Sequence, residues 1–215
     1  MKRFPVILSA PSGGGKTTIA RRLLEVRGDV GYSVSCTTRP PRDDEVEGQD
    51  YYFLSTGEFL ARQQRGEFAE SAEVHGNLYG TLRSEVERVL KLGQHVIMDI
   101  DVQGAMQFRS AFPESVLVYV LPPSGEILLD RLRGRGTETR DTLKRRLLSA
   151  LVELQAVQRY QYVVVNDDQI RAAASVSRII DAEGLRRERL QNVERDVRSI
   201  IERLERELDN DNEEP

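Results

Sequence analysis

"PVILSAPSGGGKTTIARRLLEV", residues 5–26, joins a short apolar run to a glycine-rich turn and then to an amphipathic stretch. Val6-Ile7-Leu8 has the β-rich, uninterrupted apolar character of a strand covered on both faces. Ile19, Ala20, Leu23 and Leu24 recur at helical spacing between Arg21, Arg22 and Glu25, which predicts a helix from about 16 to 27. Strand, glycine turn and helix in that order, with Lys16-Thr17 at the helix start, is the context of a phosphate-binding loop. Consecutive glycines let backbone N–H groups converge on phosphate oxygens, and the helix N-terminus adds a favourable dipole. The pattern G-x-x-x-x-G-K-[ST] is met at every fixed position but the first, which holds Ala10. The loop residues Ser12, Gly13, Gly14, Gly15, Lys16, Thr17 and Thr18 are therefore candidates for holding a nucleoside triphosphate. Lys16 would reach its β- and γ-phosphates, and the Thr17 hydroxyl would serve Mg²⁺.

The rest of the chain supplies the sheet into which this unit fits. Residues 95–100, 116–121 and 162–165 are further apolar β-rich runs. Helical patterns over roughly 81–92, 102–111, 125–133, 140–160 and 169–181 separate or follow them. The alternation predicts an α/β fold, a parallel sheet flanked by helices on the phosphate-loop NTPase plan. Residues 32–80 break the rhythm with short alternating runs, and read as an inserted α+β substrate-binding lobe. Ser55-x-x-Glu58 has capping-box spacing for a short helix within it. The polar stretch 133–141 reads as a flap. Beyond about 181, Leu190, Val193, Val197, Ile200 and Leu204 fall at spacings of three and four among Arg and Glu. That predicts a charged helix with a narrow apolar seam, laid against its own domain or pairing with a second copy as a homodimer.

Composition narrows the function. A chain of 215 residues with net charge −4 has no general electrostatic footprint for a nucleic-acid polymer. One cysteine, Cys36, excludes an internal disulfide, and two histidines make a histidine-rich metal site improbable. No apolar run approaches the length of a membrane span, and glycines and Lys16 interrupt the N-terminal segment where a secretory signal would continue. A cytoplasmic location is expected.

Two further clusters carry chemistry. "VIMDID", 96–101, puts Asp99 and Asp101 on one side at the C-terminal end of a strand, where open α/β sheets bind ligands; buried acids there call for a cation or hydrogen-bonding ligand. "TTRPPR", 37–42, sets Arg39 and Arg42 around a stiff Pro-Pro, suited to bidentate capture of a second phosphate group. Tyr51 and Tyr79 would add hydroxyl donors.

Read together, "SAPSGGGKTT", "SVSCTTRPPR", "EGQDYYF", "GEFAESAEVHGNLYGT", "IMDIDVQGA", "GRGTET" and "VVND" resemble guanylate kinase, the ATP-dependent enzyme family that phosphorylates GMP. The resemblance runs in order from about residue 4 to 180. It implies a core at 1–31, 86–124 and 159–182, a GMP-binding lobe at 32–85, a lid at 125–158 and a C-terminal helix and acidic tail at 183–215. It implies that Ser35, Glu70, Thr81 and Asp101 contact guanine, and that Arg39, Arg42, Tyr51 and Tyr79 hold the GMP phosphate. Asp99 would serve the Mg²⁺ shell through water. Arg131, Arg135 and Arg146 match the family's lid arginines, which neutralise the γ-phosphoryl in flight. Arg135 would also lie against adenine, and Asn166 would touch its edge. Sequence alone does not separate Arg146 from Arg145. Alanine at the position of Ala10 is common in bacterial members.

Two other classes share parts of this pattern. Non-catalytic guanylate-kinase-like domains of scaffold proteins typically lose parts of the phosphate loop and carry proline where Ser35 stands. A phosphate-loop kinase of sugar bisphosphates would lack the set Ser35, Glu70 and Asp101. Lys16, Thr17 and the guanine set are all present, which favours the catalytic reading with dGMP as a second acceptor.

Overall fold

A computed structural model describes residues 2–43, 45–74, 76–133 and 140–211. Its centre is a five-stranded, wholly parallel sheet in the order β2-β7-β1-β8-β9. The strands are β1 (Pro5–Ser9), β2 (Val30–Tyr32), β7 (His95–Asp99), β8 (Val116–Leu121) and β9 (Tyr162–Val165). Alternation within each strand splits the core in two. Val6, Leu8, Ile97, Val118 and Val120 face α1 (Lys16–Val26) and α7 (Gln169–Gly184), against Ile19, Leu23, Val176 and Ile180. Ile7, Met98, Leu117 and Tyr119 face the other way, onto α3 (Arg83–Lys91), α4 (Val102–Ala111) and the 3₁₀ turn Ala156–Arg159. Each such fully buried aliphatic side chain contributes about 1.5–3 kcal/mol, so the sheet is the rigid part of the molecule.

The inserted lobe has its own sheet, β4-β3-β6-β5, built from β3 (Ser35–Thr37), β4 (Tyr51–Phe53), β5 (Phe68–Val74) and β6 (Asn77–Leu82). Its small core is Cys36, Phe59, Phe68 and Leu82, with Phe59 and Phe68 stacked at 4.4 Å. Helix α2 (Thr56–Gln64) closes it and begins where Ser55 Oγ accepts from Glu58 N. Strand β2 pairs with β7 in the central sheet, so the lobe's own strands begin at Ser35.

Two helices, α5 (Gly125–Arg133) and α6 (Arg140–Gln155), occupy the segment expected to be a lid and pack through Leu128, Leu132 and Ala150. The expected helix over 140–160 is α6 followed by a 3₁₀ turn, and the flap core 134–139, which includes Arg135, lies outside the described residues. After α7 the chain passes through a 3₁₀ turn, Arg187–Arg189, into α8 (Val193–Asp211). The seam of α8 does not lie against its own domain. Val197, Ile200, Ile201 and Leu204 are all between 48% and 60% exposed.

Candidate active site

The C-terminal ends of β1, β7 and β8 converge at the point where the chain, having laid β7 to one side of β1, crosses to lay β8 on the other. That is where an open α/β sheet leaves a crevice. The loop from β1 to α1 fills it. Gly13 and Gly15 adopt left-handed backbone angles, φ +81° and +90°, which side chains other than glycine rarely accept. Gly14 N donates to Pro11 O at 2.8 Å, closing the turn. A Cβ at Gly14 would stand 2.5 Å from the Ala10 Cβ and 2.9 Å from Pro11 O, while Ala10 itself is fully buried. The methyl at the loop's first position thus occupies the space that Gly14 leaves open. The departure from the glycine pattern is accommodated inside the loop.

Around the loop stand the residues the sequence singled out. Lys16 Nζ folds back to donate to Ala10 O at 3.3 Å. Thr17 Oγ1 donates to Asp99 Oδ2, and the Tyr32 hydroxyl donates to the other oxygen, Oδ1, at 2.7 Å. Thr18 is exposed in the first turn of α1. Asn166, almost wholly buried, donates its amide to Gly14 O at 2.8 Å, and a Cβ at Gly15 would come within 2.4 Å of that nitrogen. Asn166 therefore sits directly behind the loop as a brace. Arg131 Nη2 donates to Asn166 O at 3.1 Å, while its Nη1 is buried without a hydrogen-bond partner among the described residues. A buried guanidinium nitrogen without an acceptor beside a phosphate loop fits an incoming anion. Arg146, also buried, donates from Nε to Ser12 Oγ at 3.3 Å and from Nη1 to Leu132 O at 2.9 Å. The fold thus brings Arg146 to the loop.

The lobe presents the second half. Thr81 Oγ1 donates to Glu70 Oε1 at 2.7 Å and lies 3.4 Å from Ser35 Oγ. Burial, reinforced by the negative charge of Asp101 and opposed by the Thr81 hydrogen bond, raises the Glu70 carboxyl from 4.5 to about 7. Asp101 does not extend the strand beside Asp99: β7 ends at Asp99, and Asp101 caps α4, accepting from Gln103 N and Gly104 N at 2.8 Å. The two acids separate because helix α4 begins immediately after the strand. Arg39 donates to Glu45 Oε1 at 2.7 Å and lies 5.6 Å over the Tyr51 ring, whose centroid is 6.0 Å from that of Tyr79. Arg42 is exposed, with its backbone N–H donating to Glu45 Oε2 at 2.9 Å. One cavity of about 190 Å³ is lined by Lys16 and Asp99 from the core, by Ser35, Glu70 and Tyr79 from the lobe, and by Asp101. A second, of about 490 Å³, continues from Lys16 and Asp101 to Ser12, Arg146 and Glu153.

Four residues here escaped the sequence reading. Tyr32 and Glu45 act as partners of Asp99 and Arg39. Glu153 accepts from Ser12 N at 2.9 Å. Gly104 leaves room for Glu70, since a Cβ there would meet Glu70 Oε2 at 2.7 Å. Only Gly104 left a trace in sequence, as a glycine in the first turn of a helix. The others are ordinary residue types whose role depends on what folds against them.

Comparison with known proteins agrees with this geometry. The family model for guanylate kinase matches residues 2–183. The chain is similar to the guanylate kinase of Nitrosomonas europaea, 47% identical over 180 residues that cover 84% of this chain and 90% of that protein. It is 48% identical to that of Symbiobacterium thermophilum over 185 residues, covering 86% and 88%. The crystal structure of guanylate kinase from Anaplasma phagocytophilum superimposes with a TM-score of 0.74 at 36% identity, covering 90% of this chain and 92% of that one. The chain belongs to the guanylate kinase family, phosphotransferases that convert GMP to GDP with ATP.

Proposed function

We propose that this chain transfers the γ-phosphoryl of ATP directly to GMP, and to dGMP, in the crevice between phosphate loop and lobe. The observation that carries the assignment is the single cavity lined by Lys16 on one side and by Ser35, Glu70 and Tyr79 on the other. ATP phosphates lie along Ser12 to Thr18 and take loop N–H groups other than those of Ser12 and Gly14, with Lys16 bridging the β- and γ-phosphates. Asn166 serves that side by bracing Gly14 and Gly15. On the other side the ionised Glu70 accepts from guanine N1–H and N2–H₂, with Ser35, Thr81 and Asp101 completing the edge. Adenine lacks those donors and would leave a buried carboxylate unpaired, a loss large enough to discriminate by orders of magnitude. Arg39, Arg42, Tyr51 and Tyr79 hold the acceptor phosphate.

No covalent intermediate is required, because alignment and charge stabilisation carry phosphoryl transfer. Arg131, Arg135 and Arg146 supply charge at the phosphoryl group in flight. The Thr17 hydroxyl, already beside Asp99, suits Mg²⁺, which binds through few protein groups and keeps several waters. Thr17 would ligate it and Asp99 would hold its water shell; when bound, the ion neutralises phosphate charge. We place the reaction in the cytoplasm, where ATP is made available; no helix among the described residues is long and apolar enough to cross a membrane. A second copy of the chain is proposed as the partner of α8.

An acceptor panel of GMP, dGMP, AMP, UMP and sugar phosphates, read by coupled ADP release, tests the assignment. GMP and dGMP are expected to turn over and AMP to be poor by at least a hundredfold. Turnover of a sugar phosphate without any of GMP would overturn it.

A further inference from the structure

The family match ends at residue 183, and α8 lies beyond it. Val197, Ile200, Ile201, Leu204 and Leu208 form one stripe along this helix and are 48–65% exposed. In proteins most of a helix's stability comes from packing its apolar face, so this stripe calls for a surface to cover it. We infer that two copies of the chain pair through α8 in antiparallel orientation, with Val197 facing Leu208 and Ile201 facing Leu204 of the second copy. The inference rests on the proposed self-association of α8 and adds its geometry.

Charge decides the orientation. With those apolar layers in register, the flanking positions bring Arg198 opposite Glu205 of the second copy, twice by symmetry. Neither side chain has an ion-pair partner among the described residues. In a parallel pair Arg198 would face Val193 instead. The ends of the helix agree with this: residues 193–201 carry two arginines against two acids, and residues 202–211 carry two arginines against five acids. Antiparallel pairing sets the acidic end of one copy on the charge-balanced end of the other, whereas parallel pairing stacks the two acidic ends on each other. The same acidic excess disfavours an anionic membrane surface, which selects a basic polar face. A two-helix seam of this length buries on the order of 1,000 Å², near the lower limit for specific association, so a concentration-dependent dimer is expected.

Sedimentation velocity of the full chain tests association. A dimer is expected to dissociate on dilution and to be lost in Leu204→Asp, with GMP turnover unchanged. A chain that stays monomeric at every concentration overturns the pairing itself. Arg198→Glu is expected to weaken the dimer at least tenfold, and Arg198→Glu with Glu205→Arg to restore it within threefold. Cysteine pairs test orientation separately, because Cys36 is buried with its thiol raised to about 12 and stays silent to mild oxidation. Chains bearing Val197→Cys mixed with chains bearing Leu208→Cys should form a disulfide; crosslinking of Val197→Cys with itself would show parallel pairing and overturn the register. Binding to phosphatidylserine vesicles that Leu204→Asp abolishes would overturn the choice of partner.

A different observation points to Glu153 as a positioning residue for the phosphate loop. Its carboxylate, on the last turn of α6, accepts from Ser12 N at 2.9 Å, and its backbone carbonyl accepts from the Tyr119 hydroxyl at 2.9 Å. Arg146 on the same helix holds the Ser12 hydroxyl. Helix α6 therefore grips Ser12 of the loop at two atoms, which ties the loop to this helix. The geometry assigns Glu153 the role of fixing the loop for ATP. Glu153→Ala is expected to raise the ATP KM at least tenfold with the GMP KM within twofold, and Glu153→Gln, whose amide oxygen still accepts, to stay within threefold of the parent. An equal rise in both KM values, or a Glu153→Gln chain as impaired as Glu153→Ala, would overturn the assignment.

Discussion

Glu70, proposed above to read the guanine edge, shows what burial costs a carboxylate. Folding lifts its carboxyl from 4.5 to about 7, chiefly through burial. Between those two values the folded chain holds more protons than the unfolded one, so the residue's contribution to stability falls as pH rises through that window. Well above pH 7 the buried carboxylate is ionised and costs on the order of 3 kcal/mol. Glu70→Gln is therefore expected to be more resistant to urea than the parent at pH 8, with the advantage gone at pH 4.5. Because guanine needs the ionised form, the GMP KM of the parent should rise about tenfold per unit as pH falls below 7, and that slope should vanish in Glu70→Gln. A parallel profile in both proteins would remove Glu70 from the guanine edge. Ala10 makes a second residue-scale case. Gly14→Ala would set a methyl 2.5 Å from the Ala10 Cβ. Overpacking of this kind costs about 1–3 kcal/mol, and it would also displace the loop from the phosphates it is proposed to hold. A lower Tm and an ATP KM raised at least tenfold are expected for Gly14→Ala, against changes under twofold for Ala10→Gly. Lys16→Ala, which removes the charge proposed to bridge the ATP phosphates, should lower kcat about 10²–10³-fold without lowering Tm.

At the scale of elements, the strands and helices of the core were legible because each carries one dominant period. Val116–Leu121 is apolar throughout and lies inside the sheet; Ile19, Ala20 and Leu23 share one face of α1 and are buried together. Boundaries were less legible where hydrogen bonds, and not apolar pattern, set them. Strand β7 stops at Asp99 because Asp101 caps α4, a local decision that two acids in one run do not announce. The helix expected over 140–160 changes to a 3₁₀ turn at Ala156, where the chain bends to bring Tyr160 against Tyr119 at 5.1 Å. The inserted lobe was recognisable as an interruption, but its strand order β4-β3-β6-β5, with β3 and β4 parallel, depends on pairings between segments that carry little pattern of their own.

For the whole molecule, lobe and lid meet the core on opposite sides of the crevice, so substrate binding is expected to draw them together and exclude water from the γ-phosphoryl group. Small-angle scattering should show a smaller radius of gyration with GMP and a non-hydrolysable ATP analogue together than with either alone. An unchanged radius would argue against closure. What the sequence by itself determined was chemical type and local period: a phosphate loop at 9–18, arginines flanking Pro40-Pro41, an acid, Asp99, at the end of an apolar strand, and a charged helix at the end of the described chain. Those signals are legible because backbone conformation and residue chemistry act over a few neighbouring positions. Only the tertiary structure decided that Asn166 braces Gly14, that Tyr32 and Thr17 share the oxygens of Asp99, that Glu153 grips Ser12, and that the α8 seam faces outward. Each of these joins residues far apart in the chain, or depends on whether another surface arrives to cover them. Sequence pattern records what a segment offers; packing settles what accepts it.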